Sequence, residues 1–154
     1  MLNVDRVWSR VSQLPGFKNR KLSDFVIQVI DLNFTLTTQQ LSAQTPVNLP
    51  AGMVILGIIA AARMDAQAAT VQQSPGLDMF RVAIDYQATA RSIVGPGASR
   101  GLGSAVFGPF GDQFPGKELV IPVQGSLLYT VENMTTSTID VTFSHHGLVP
   151  GAIG

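Results

Sequence analysis

Hydrophobic and polar positions alternate with a period of two along much of this chain. Leu127, Tyr129 and Val131 alternate with Leu128, Thr130 and Glu132, and Ile139, Val141 and Phe143 alternate with Asp140, Thr142 and Ser144. Successive side chains on a strand point to opposite faces, so each stretch predicts a strand with one buried face. The polar connection Asn133-Met134-Thr135-Thr136-Ser137 between them reads as the turn of an antiparallel hairpin. A lone hairpin is marginal in water, so the rest of the chain must supply a layer that covers Ile139, Val141 and Phe143.

Upstream, Phe25 to Thr37 predicts the longest strand. Leu32, Phe34 and Leu36 point one way, and Asp31, Asn33, Thr35 and Thr37 the other. Before them, Val26, Ile27, Val29 and Ile30 are apolar at both phases, which predicts an end covered on both faces. Met53 to Ala61 is also apolar at both phases, with Gly57 marking a bulge or a close backbone approach. Phe80, Val82, Ile84 and Tyr86 alternate with Arg81, Ala83, Asp85 and Gln87. Shorter strands are expected at Ala69–Gln73, Ser104–Phe107 and Leu119–Val123, and the prolines of TPVNLPAG (45–52) suit an extended edge or turn. No amphipathic helical stretch separates the strands, which argues against an open βαβ sheet. The pattern predicts an all-β protein, a jelly-roll or Greek-key β-sandwich with an extended N-terminal arm. The arm spans 1–22 and a single domain spans 23–154.

In the arm, Val4, Val7, Trp8 and Val11 stand at helical spacing before Pro15-Gly16 ends any helix. Arg6, Arg10, Lys18, Arg20 and Lys21 outweigh Asp5 there, giving +4, so the other residues of this neutral chain carry −4. A basic arm on a mildly acidic body suits contact with a neighbour, and Trp8 either packs on its own domain or anchors on another subunit. Residues 91–116 are rich in glycine and proline, and a loop this long is usually functional or involved in assembly. Its Phe107, Phe110 and Phe114 either seal one end of the sandwich or touch a partner.

Composition sharpens the assembly reading. Charged residues make up 13% of the 154, roughly half the usual share, while hydrophobic residues make up 45%. So few charges cover a small domain poorly unless part of its surface is buried against neighbours. Neutrality gives no general drive toward nucleic acid or anionic membrane. The most apolar run, Met53 to Ala62, is too short to span a bilayer, and the N-terminus lacks the apolar core of a signal peptide. There is no cysteine, which excludes disulfides, thiolate metal sites and cysteine nucleophiles.

Candidate chemistry is sparse. Gly97-Ala98-Ser99-Arg100-Gly101-Leu102-Gly103 resembles the glycine-rich cofactor loop of short-chain dehydrogenases, which would imply a nucleotide site. Gly108-Pro109 stops any following helix, and the loop does not follow the first strand. The Tyr-x-x-x-Lys pair of that family is also absent, since Ala90 and Asn133 stand four residues after Tyr86 and Tyr129. His145 and His146 are adjacent, so on a strand they point apart and cannot share a metal ion. Asp31, Asp85 and Asp140 stand at the solvent phase of their strands, and no Gly-x-Ser-x-Gly elbow occurs. Asn33-Phe34-Thr35 and Asn133-Met134-Thr135 match the glycosylation sequon. No enzyme activity, cofactor or metal is expected.

The order of parts resembles the small jelly-roll cement or decoration proteins of tailed bacteriophage capsids. It consists of a basic arm, LPAGMVILGIIAAAR, FRVAIDYQ, a Gly/Phe-rich segment and a closing VIPVQGSLLYTVENMTTSTIDVTFSHHG. That resemblance covers about residues 45–148 and carries no site residue with it. It implies a virion structural protein, located in the capsid, that bridges capsomers of a major capsid protein and contacts copies of itself as a dimer or trimer. Neither nucleic acid nor membrane is bound directly. Arg6, Trp8, Arg10, Leu14, Phe17 and Arg20 of the arm and Phe107, Phe110 and Phe114 of the loop would make the contacts. Alternatives are a minor capsid, vertex or spike-base protein, or a carbohydrate- or receptor-binding jelly roll using Trp8, Tyr86, Tyr129 or the Phe107–Phe114 loop.

Overall fold

The computed structural model describes residues 8–9, 12–13, 19–50, 52–64, 76–87, 91–94, 100–107, 119–120 and 125–150. The expected strand at Ala69–Gln73 lies outside them. Among the described residues nine strands follow in order: β1 (Phe25–Leu36), β2 (Thr45–Leu49), β3 (Val54–Met64), β4 (Phe80–Tyr86), β5 (Arg91–Val94), β6 (Gly101–Leu102), β7 (Leu119–Val120), β8 (Gly125–Asn133) and β9 (Ile139–Pro150). They form two antiparallel sheets, β1-β9-β3-β7 and β2-β8-β4-β5, with β6 also beside β4. Among the described residues the helical elements are single turns, such as Gly103–Phe107. The protein is all-β.

The expected hairpin does not form. β8 lies between β2 and β4 in one sheet, whereas β9 lies between β1 and β3 in the other. Paired edge to edge, the two strands would have turned both apolar faces the same way and left them uncovered. Crossing between sheets turns those faces toward each other, and Tyr129 of β8 stacks on Phe143 of β9 at 4.8 Å. The stretch from Met134 to Thr138 is long enough for the climb, since packed sheets lie ~10 Å apart and an extended residue spans ~3.3 Å. The missing cover is thus the other half of the same segment.

Phe143 sits at the centre of the core. Its ring meets Phe34 at 6.0 Å and Phe80 at 5.7 Å, both edge-to-face, and Phe107 at 5.6 Å. Aromatic pairs in such geometries add ~0.5–1.5 kcal/mol each beyond the burial of area. Phe34 comes from the first sheet and Phe80 from the second, so one core joins both. The strand pairing is nested: β1 with β9, β2 with β8, β3 with β7, and β4 with β5 and β6.

Three further expectations are corrected. Ser104–Phe107 is part of a helical turn, because Gly103 must sit against the Leu77 carbonyl and the Phe80 ring. A Cβ on Gly103 would lie 2.4 Å from that oxygen and 2.7 Å from that ring. The glycines of the cofactor-like motif thus include one required by packing, and the helical turn after it is only five residues long. β9 does not end at Ser144 but continues to Pro150, pairing with Phe25–Ile30 on one side and with Val54–Ile58 on the other. Finally, the apolar first half of β1 is not covered on both faces: Val26, Ile27 and Val29 are 59%, 58% and 49% exposed.

Candidate interaction surface

β1 is an edge strand, paired with β9 on one side and, among the described residues, with no strand on the other. A free edge presents unpaired backbone donors and acceptors, and folded proteins usually blunt such an edge with short strands, proline, lysine or bulges. The other edges here follow that rule. β7 is two residues long, β2 has five residues and carries Pro46, and β5 has four residues with a register shift against β4. β1 runs twelve residues in unbroken register and contains no proline, glycine or lysine. It is also where the exposed apolar residues gather. Five large hydrophobic side chains are called exposed among the described residues, and three of them are Val26, Ile27 and Val29.

The pairing register places these side chains. Residues directly opposite in an antiparallel pair point to the same face. Leu32 stands opposite Phe143 and Phe34 opposite Val141, so even-numbered positions of β1 face the core. Phe25, Ile27 and Val29 therefore lie on the outer face, where Ile27 stands beside Leu148 and, across β9, Val54. Phe25, Val54 and Leu148 form a second, smaller cluster there, joined by Trp8, Leu22 and Leu56. At the other end of that face, Thr142 donates to Asn33 at 2.7 Å, Thr35 donates to Asp140 at 2.8 Å, and Arg63 approaches Asp140 at 3.9 Å. One end of the outer face is greasy and the other is a polar ladder.

Of the contact residues expected from sequence, Trp8, Arg20 and Phe107 fall among the described residues. Arg6, Arg10, Leu14, Phe17, Phe110 and Phe114 lie outside them. Trp8 packs on its own domain, tilted against Phe25 at 5.4 Å, and so lies over the apolar end of the outer face. Arg20 is exposed. Phe107 is fully buried against Phe143, so of its two expected placements it takes the one in which the ring closes the core.

The histidines do point apart. His146 stands opposite Val29 and Gly57 on the outer face, while His145 is fully buried between the sheets. Its Nδ1 donates to the Ile30 carbonyl at 2.7 Å, which leaves Nε2 to accept from the Tyr129 hydroxyl. Burial lowers the pKa of His145. The Ile30 carbonyl and the Asp31 charge oppose that shift, and His146 adds to it. Burial likewise raises Tyr129 well above its ordinary value. This pair is a neutral clasp between β8 and β9, held where a proton is unwelcome. The described residues contain no group of three His, Asp or Glu able to hold a metal ion, and no helix among them is long and apolar enough to cross a membrane.

Sequence reasoning also missed the role of Asn133. It is buried at the point where β8 leaves its sheet, and its amide nitrogen lies 3.2, 2.9 and 2.7 Å from the carbonyls of Leu36, Thr37 and Ser137. Its Oδ1 accepts from both the amide and the hydroxyl of Thr135, each at 2.8 Å. The match to a glycosylation sequon is thus a structural knot that ties the crossing to the end of β1, with no free amide to modify. An Asn followed two and four residues on by Thr and Ser was the available signal, since such side chains bond to backbone groups nearby. No family model, curated protein or solved structure matches this chain.

Proposed function

We propose that this chain is a non-enzymatic virion structural protein, a capsid cement or decoration protein that bridges capsomers of a major capsid protein. The observation that carries the reading is the nested pairing of strands. Sheet orders β1-β9-β3-β7 and β2-β8-β4-β5 are what results when one long antiparallel ribbon is rolled into two facing sheets. We read this order as the jelly roll of two Greek keys, an architecture used by viral capsid proteins and lectins. The β1 edge, which pairs with no strand on its far side among the described residues, and the apolar outer face fit a building block that completes its surface by assembly. Trp8 lies at that same face.

The lectin-like alternative is less well supported. A sugar site of that kind wants exposed aromatic rings beside polar groups. Tyr86 and Tyr129 are both buried, and Trp8 is engaged with Phe25. The test is to locate the protein in particles. Cells that make it are lysed, particles are sedimented, and an antibody against the chain is followed by electron microscopy. Regular labelling over the shell is expected for a cement role, and label at one vertex would mark the minor-capsid alternative. Absence of the chain from every sedimented particle would reject the reading.

A further inference from the structure

We propose that two copies of this chain pair through their β1 edges, antiparallel about a two-fold axis near Ile27–Gln28, joining two four-stranded sheets into one of eight strands. The proposal deepens the self-contact part of the reading above. It concerns the isolated chain, so it stands or falls apart from any shell.

Two observations favour a second copy as the occupant of this edge. The first is that the segment needs cover on three sides. Val26 lies on the core-side face, Ile27 and Val29 lie on the outer face, and the backbone edge is unpaired among the described residues. A flat partner would cover one side. A second copy brings an equal overhang beside the first, so Val26 and Ile27 of each meet apolar neighbours on both faces while the backbone groups pair. The second observation is charge. At a two-fold axis each residue lies near its own copy, so a charge there repels itself. Phe25 to Ile30 carries none. Beyond that window, antiparallel pairing sets Asp31 of one copy near Asp24 of the other, with Lys21 and Arg20 three and four residues behind Asp24 to offset the two acids. The middle is neutral and apolar.

Light scattering on the full-length chain across a dilution series is the direct test. The expected result is a mass that moves between monomer and dimer, with Ile27→Lys weakening association by about tenfold or more. Ile27 is exposed, so the variant should keep the wild-type circular dichroism; Val29→Lys repeats the test should Ile27→Lys misfold. Hydrogen exchange at two concentrations then identifies the occupant. The alternate amides between Val26 and Ile30 that point away from β9 should become protected as concentration rises. A chain that is monomeric throughout would overturn the proposal, as would a trimer, or a dimer indifferent to both lysines. Protection of those amides independent of concentration would also overturn it, because it would place a segment of the same chain, such as the arm, on the edge.

Discussion

The two halves of β1 are both rich in large apolar residues and end in opposite environments. Leu32, Phe34 and Leu36 cover the core, with Phe34 edge-on to Phe143, while Val26, Ile27 and Val29 stand in solvent. Ile27 and Val29 lie on the outer face, which the other sheet does not cover, and for Val26, on the core-side face with Phe34, strand length explains the difference. β1 and β9 have twelve residues each, and the longest strand of the facing sheet, β8, has nine. At ~3.3 Å per residue that is roughly 40 Å against roughly 30 Å, so one end of the first sheet extends past its cover. Alternation reports which way a side chain points. It does not report whether anything lies there to meet it.

The strongest way to break this comparison is to truncate each half in turn. Phe34→Ala should cost ~3–5 kcal/mol, since it removes a buried ring and leaves a cavity beside Phe143. Urea denaturation reads the loss directly. A cost near that of a surface substitution would mean that the covered half is not packed as described.

Next in size is the knot at the end of the covered half. Asn133→Ala strands the buried carbonyls that its amide serves and frees the crossing between sheets, at an expected cost of ~2–4 kcal/mol. Asn133→Asp separates the two roles of the side chain. It keeps the oxygen that Thr135 uses, loses the donors to Leu36, Thr37 and Ser137, and places a carboxylate against carbonyls. Asp should therefore be at least as damaging as Ala. If Asp were benign, the bonds to Thr135 would be what holds the crossing.

These positions also mark where the sequence was legible. Period-two patterning located β1, β4, β8 and the first half of β9 to within a few residues, because a half-buried strand leaves that signature wherever a core exists, and a continuous apolar run located β3. It gave no information on partners. The β8–β9 stretch reads the same as a hairpin within one sheet or as an arch between two, and only the knot at Asn133 and the stacking of Tyr129 on Phe143 separate them. A Cβ on Gly147 would lie 2.5 Å from Met53 and 2.7 Å from the Val54 carbonyl, so β9 needs glycine there. Glycine demanded by a neighbouring strand and glycine demanded by a bend are identical in one dimension. The exposed edge was hidden for a related reason: whether apolar residues are sandwiched or overhanging depends on the length of a sheet assembled from elsewhere in the chain.

His145 stands at the boundary between the halves, bonded to Ile30 where coverage begins. Because burial lowers its pKa, the folded chain binds this proton less readily than the unfolded chain does. The contribution is complete above the ordinary value of 6.5 and is lost as pH falls from there toward the folded value, by up to about 1.4 kcal/mol per pH unit. Urea midpoints at pH 7.5 and at about pH 5.5, still above most carboxylate values, should show that fall. His145→Gln cannot take up a proton, so the variant should lose most of the difference between the two pH values even if it is less stable at both. An unchanged difference would show that the clasp on Tyr129 does not exclude the proton.

The smallest expected effect is the most discriminating. Val26→Thr keeps the β-branched shape and replaces one methyl with a hydroxyl at a position 59% exposed. In a monomer at high dilution the change should stay within ~0.5 kcal/mol, as for other surface substitutions. Val26 is on the core-side face of β1, the same face as Phe34, so only the missing cover distinguishes the two sites. A cost above ~1 kcal/mol at high dilution would mean that the site is covered within the isolated chain, since burying an unsatisfied hydroxyl carries a penalty of that order. The contrast between the halves of β1 would then be one of which segment covers each, and the edge would be closed to a second copy. A small cost at high dilution that grows with protein concentration points the other way, because the same hydroxyl would then be buried only when two edges meet.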